Sequence, residues 1–158
     1  MPSSRAGAEM PENLSWWRPA AALAGFAFLL HFAWEMLQFP LYAGMSEARH
    51  DAATWTCLLA TVGDVAIALF AYGAASVVAR SAQWVLRPRS MPLAVYLGAG
   101  LGVTVAVEWV SVHRWGRWSY AGAMPLVLGV GLAPLVQWVA VPLLTLWLTR
   151  RHIRVPRD

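Results

Sequence analysis

Four long apolar stretches, separated by short polar segments that carry arginine, constrain this chain more than any motif does. They cover residues 19–39, 52–79, 91–112 and 125–148. A helix needs about 20 mainly apolar residues to cross the hydrocarbon core of a bilayer. Backbone N–H and C=O groups in hydrocarbon must pair within their own segment, so each stretch is expected to be helical. The fold class this implies is all-α: an integral membrane bundle of four transmembrane helices over 19–148, with tails at 1–18 and 149–158. Composition agrees, with 59% hydrophobic and only 13% charged residues, where a soluble domain carries about a quarter charged.

The cations give the bundle a direction. All 12 basic residues are arginine, a bias that fits a GC-rich genome. Nine (Arg5, Arg18, Arg80, Arg87, Arg89, Arg150, Arg151, Arg154 and Arg157) fall in the two tails and the second loop, and three (Arg49, Arg114 and Arg117) in the other loops. The positive-inside rule places both termini in the cytoplasm of a bacterial inner membrane. Nucleic-acid binding is excluded as the reason for the high pI, because the arginines flank apolar spans instead of lining one soluble face. Residues 1–18 lack the compact basic–apolar–cleavage layout of a signal peptide, so the first span is expected to be retained. The lone Cys57 has no CxxC partner and reads as a buried, inert thiol.

Tryptophans 16, 17, 84, 115, 118 and 147 lie near span ends and read as an interfacial belt. Gly98 and Gly102 form a GxxxG on the third span, suited to close helix contact within the bundle, with a second copy or with a membrane partner. Gly129, Gly131, Pro134 and Pro142 interrupt the fourth span. A kinked helix through 125–148 is expected there, the alternative being an irregular entry with the helix proper starting at Pro134.

Ionisable and amide groups inside spans are costly and therefore mark function. Span one carries His31, Glu35 and Gln38, spaced to share a helix face. Span two carries Asp64, span three Glu108 and span four Gln137. At about 1.5 Å rise per residue, Glu35 and Glu108 should lie shallow, His31 deeper, and Asp64 and Gln137 near the membrane centre. Together they form an expected polar funnel opening outward, with His113, Arg114, Arg117 and Tyr120 at its mouth. The plain structural role for Arg114 and Arg117 is to pair with Glu35 and Glu108.

His31, Glu35, Asp64 and Glu108 are the candidate catalytic residues for proton donation and acceptance. Gln38, His113, Arg114, Arg117, Tyr120 and Gln137 are the candidate substrate-binding residues, the arginines suiting an anionic head group. A metal set of His31, Glu35, Glu108 and His113 is chemically conceivable but lacks any HExxH-type pairing; no metal is assigned, and cofactors stay unknown. The expected reading is a small membrane enzyme acting on a lipid or isoprenoid, with membrane lipids as partners. Its alternatives are a proton-coupled transporter and a non-catalytic accessory subunit. The order of a glutamate, the run WGRWSY and a Pro/Gly-rich final span resembles small carotenoid-modifying membrane enzymes over a minor part of the chain. That resemblance implies an isoprenoid substrate and assigns no catalytic residue.

Overall fold

A computed structural model describes residues 17–154. Arg5, Trp16 and Arg157, used above for topology and the interfacial belt, lie outside the described residues. Four helices carry the fold: α1 (Trp17–Gln38), α2 (His50–Ala79), α3 (Ser90–Trp109) and α4 (Leu132–Arg154). Each is long and apolar enough to cross a membrane, as in a multi-pass membrane protein.

Every helix buries one stripe. On α1 it comprises Pro19, Leu23, Ala27, His31 and Gln38; on α3 it comprises Pro92, Tyr96, Gly100, Thr104 and Glu108. Spacing of three and four residues keeps these side chains on one face. The stripe of α2 runs through Ala53, Cys57 and Thr61 to Ala68, and that of α4 through Pro134, Gln137, Trp138 and Val141. The helices pack as a square in which α1 and α3 each touch both α2 and α4. Four inward stripes therefore share one interior.

Helix ends follow local chemistry. Pro19 sits in the first turn of α1, where its missing N–H costs nothing, and Pro40 ends that helix through a 3₁₀ turn at Phe39–Leu41. Arg80 ends α2 in the left-handed region (φ 51°), with Ser81 N–H donating to Ser76 C=O and Arg80 N–H to Val77 C=O. Those two bonds make a Schellman motif. A single π turn, Val110–Arg114, closes α3.

The fourth stretch departs from the kinked helix expected over 125–148. Leu126–Val127 and Val130–Gly131 form a tiny antiparallel hairpin, and α4 begins only at Leu132. Leu128 and Gly129 both have positive φ, 53° and 82°, as a two-residue type I′ turn requires. Pro142 lies inside α4.

At one end of the bundle, here the rim, loop one pairs with loop three. Ala43 N–H donates to Ser119 C=O and Ala121 N–H to Leu41 C=O, each at 2.9 Å, around a Tyr42–Tyr120 bridge. At the opposite, basic end, Arg154 donates to the Leu86 carbonyl and Tyr72 to the Ala82 carbonyl.

Two expectations need correction. Contact within the bundle is not made by Gly98 and Gly102, which face outward, the side a second copy or membrane partner would use; the glycine at the α3–α4 contact is Gly100, whose Cβ would meet the Trp138 ring at 2.4 Å. Trp84 is no interfacial residue: it is buried between Tyr72 and Tyr96.

Candidate functional site

The inward stripes bring His31, Glu35 and Gln38 of α1, Asp64 of α2 and Gln137 of α4 into one cluster. Its hub is the Gln137 amide. The Nε2 group lies 2.9 Å from His31 Nδ1, 3.0 Å from Glu35 Oε1 and 3.2 Å from Asp64 Oδ2. Gln38 Nε2 donates to Glu35 Oε1 at 2.7 Å and to Gln137 Oε1 at 3.3 Å, while Trp34 Nε1 donates to Gln38 Oε1 at 3.1 Å. His31, Gln38 and Gln137 are almost wholly buried.

Hydrogen counting says more than the distances. An amide nitrogen has two hydrogens, yet three acceptors surround this one. The third contact is met either by sharing one hydrogen between two acceptors or by a proton held by the acceptors themselves. The edge between His31 Nδ1 and Asp64 Oδ2, 3.3 Å long, is where such a proton fits: as a ring N–H donated to the carboxylate or a carboxyl O–H donated to the ring. Reversing the amide would worsen the count, because its oxygen would then face three acceptors.

Glu108 forms a second layer nearer the rim. Its carboxylate accepts from Tyr120 Oη at 2.7 Å, Tyr42 Oη at 3.3 Å and Trp118 Nε1 at 3.3 Å. The π turn makes this possible. Trp115 N–H reaches back to Val110 C=O and Arg117 N–H to Ser111 C=O, folding Trp118 and Tyr120 over the helix end. Both phenols are driven to ionise well above the ordinary tyrosine range, first by burial and also by the neighbouring Glu108 charge. They therefore remain donors at any physiological pH.

Both layers except His31 and Tyr120 line one cavity of about 520 Å³. Its floor is Glu35, Asp64 and Gln137, and its walls include Phe39, Tyr42, Trp118 and Trp138. Leu59, Ala60 and Gly63 of α2 and Val107 of α3 also line it. The three α2 residues are exposed near the middle of their helix and Val107 is exposed near the end of α3, so the mouth opens sideways between α2 and α3. Trp138 braces the deep layer, its ring 5.2 Å from that of His31, and it fits only because Gly100 has no side chain.

The sequence-predicted residues separate accordingly. His31, Glu35, Gln38, Asp64 and Gln137 converge, and Glu108 and Tyr120 meet in the second layer. Arg117 lines the cavity and stacks on Trp115. His113 does not join: its Nδ1 contacts the Trp109 carbonyl and its ring stacks on Trp109. The conceived set of His31, Glu35, Glu108 and His113 is thus not assembled, and the described residues contain no metal-ligating cluster. Arg114 is exposed and outside the cavity lining. The expected arginine pairing is replaced by amide donors at Glu35, from Gln38 and Gln137, and by aromatic donors at Glu108; ion pairs among the described residues are His31–Asp64 and Arg49–Asp51.

Gln137 meets Asp64, which lies midway along α2, at 3.2 Å. It lies on the second turn of α4, because that helix starts at Leu132. Sequence reasoning missed Tyr42 and Trp118 as donors and Trp138 as a brace. Trp138 had a signal, its place beside Gln137 on the buried stripe; the other two depend on loop folding. Compared with protein-family profiles, curated proteins and solved structures, the chain matches none.

Proposed function

We propose that the chain is a membrane enzyme that adds and removes protons at carbon–carbon double bonds of a lipid or isoprenoid. The observation that carries this reading is the convergence of Glu35 and Asp64 on Gln137 at the floor of an aromatic-walled cavity open to the side, with the buried His31 behind them. A substrate dissolved in hydrocarbon would enter between α2 and α3 without crossing water.

The chemistry needs no external co-reactant. The proton on the His31–Asp64 edge adds to one alkene carbon, leaving a cationic centre on its neighbour. Glu35, on the other side of the amide, removes a proton from the adjoining carbon, so the double bond moves with no change in oxidation state. Exchange with water then takes the proton from Glu35 and restores one to the His31–Asp64 edge for the next turnover. The faces of Trp118, Tyr42 and Trp138 stabilise the positive charge in between. The fully bonded Glu108 carboxylate supplies a fixed negative charge near the cavity mouth. Gln38 and Gln137 hold the acids in position, and Tyr120 holds Glu108. In this reading the protein sits in a bacterial inner membrane with its basic end in the cytoplasm, consistent with the arginine distribution.

Lipid mass spectrometry of cells with and without the protein tests the proposal. A lipid pair of equal mass but different double-bond position should change in ratio, and Asp64→Asn should match the deletion. Unchanged lipids in the deletion strain would sink it.

A further inference from the structure

The sideways mouth of the cavity has an uneven wall on α2. Thr56, Ala60, Gly63 and Ile67, spaced by three and four residues, share one face of that helix, and all of them line the cavity with Leu59. Thr56, Leu59, Ala60 and Gly63 are exposed, and Val107 is the exposed lining residue of α3. Glycine inside a helix is destabilising relative to alanine, because more backbone freedom is lost and no side chain packs. A Cβ built on Gly63 meets nothing within 4 Å, and the residue lies inside α2. Neither a close neighbour nor a special backbone conformation therefore asks for glycine there. Gly25, Gly73, Gly98 and Gly102 are equally open, but none of them lines the cavity. Gly63 does, and the next residue is Asp64, whose side chain keeps 14% exposure at the cavity floor.

We propose that Gly63 is the portal residue of the site: the gap left by its missing side chain, widened by Ala60, is where a hydrocarbon chain passes from the bilayer to Asp64 and Glu35. This rests on the reading of the cavity as a site for a lipid-soluble substrate, and it adds the residue that decides what enters. A larger side chain at position 63 narrows the passage without disturbing the packed interior, because the space it takes is open. Leu59, Ala60 and Val107, which share the mouth, have no polar side-chain atoms. They receive a hydrocarbon chain and offer a polar head group no hydrogen bond.

The test uses the full chain in phosphatidylcholine nanodiscs loaded with octadecene and then mixed with discs holding its deuterated form. Native mass spectrometry follows exchange of the retained alkene. Gly63→Leu should slow the exchange about tenfold or more, since extra methylene groups in a narrow passage carry a free-energy cost of that size, while final occupancy stays near that of wild type. Its unfolding temperature should equal or exceed that of wild type, leucine being the better helix former, which separates a closed portal from a damaged fold. Gly98→Leu, on the outward face of α3, should exchange like wild type. Exchange at the wild-type rate in Gly63→Leu would overturn the portal alone. Lost occupancy in Gly63→Leu at an unchanged rate would make residue 63 a plain wall of the cavity and overturn it too. A wild-type protein that retains no octadecene would overturn the portal together with the lipid reading of the cavity.

Discussion

Replacing Gln137 with leucine removes the hub of the buried network without removing an acid. The amide has two hydrogens for three acceptors, so two full donations to the triad are lost, together with one acceptance from Gln38. Bonds to charged partners are worth about 1.5–3 kcal/mol each and a neutral one about 1 kcal/mol. The sum is about 4–7 kcal/mol, comparable to the whole stability of many domains. Leucine returns some of this through apolar contact with Trp138, so a loss of about 3–5 kcal/mol is expected. The assay is thermal or denaturant unfolding in one fixed detergent, with Val136→Leu on the adjacent exposed position as control. Combining Gln137→Leu with Glu35→Gln should cost clearly less than the two single losses added, because both break the same bond. A Gln137→Leu protein as stable as the control, or strict additivity with Glu35→Gln, would refute the hydrogen count.

Other perturbations separate the layers. Gly100→Ala should displace Trp138 and with it His31, costing about 1–3 kcal/mol, whereas Gly98→Ala, in open space, should be neutral or slightly stabilising in unfolding assays. Tyr120→Phe removes the 2.7 Å bond to Glu108 and should destabilise by about 1.5–3 kcal/mol, with faster proteolysis of loop three as the local readout. Absorbance titration should find Tyr42 and Tyr120 still protonated when free tyrosine has ionised. Their folded-state ionisation is shifted upward, so the stability they confer is present at neutral pH and lost only as pH rises through that raised range. Asp64→Asn should abolish the lipid change yet leave the chain folded, since asparagine can still donate to His31.

The four spans and the inward residues were legible because spacing alone places them. Counting in fours from Pro19 reaches Leu23, Ala27 and His31, the stripe that the bundle buries. The same counting from Glu108 passes Thr104 and lands on Gly100, so the contact glycine was also within reach; the GxxxG pattern pointed to Gly98 and Gly102 instead. The start of α4 falls two residues before the Pro134 of the irregular-entry alternative, while the hairpin that forms that entry was hidden. A type I′ turn normally announces itself as Asn-Gly or Asp-Gly, and here a leucine occupies the first position. The start at Leu132 puts Gln137 on the second turn of α4, still level with Asp64 midway along α2. Glu108 was legible as buried but not as aromatic-bound, because its donors arrive through a π turn and a bridge between two distant loops, neither of which has local periodicity. Arginines seemed better partners on charge alone. The fold prefers tyrosine and tryptophan there, whose rings can also wall an apolar cavity.

Growth in deuterated water tests the proton-transfer reading most directly, by following deuterium on carbon in membrane lipids extracted from cells with wild-type protein, with Asp64→Asn and with no protein. An acid at the cavity floor exchanges with water before it protonates an alkene, so tracing should begin from preformed unlabelled lipid after a short pulse. The account predicts one carbon-bound deuteron per rearranged double bond in wild type, and none in Asp64→Asn or the deletion. Equal labelling in all three strains would contradict it.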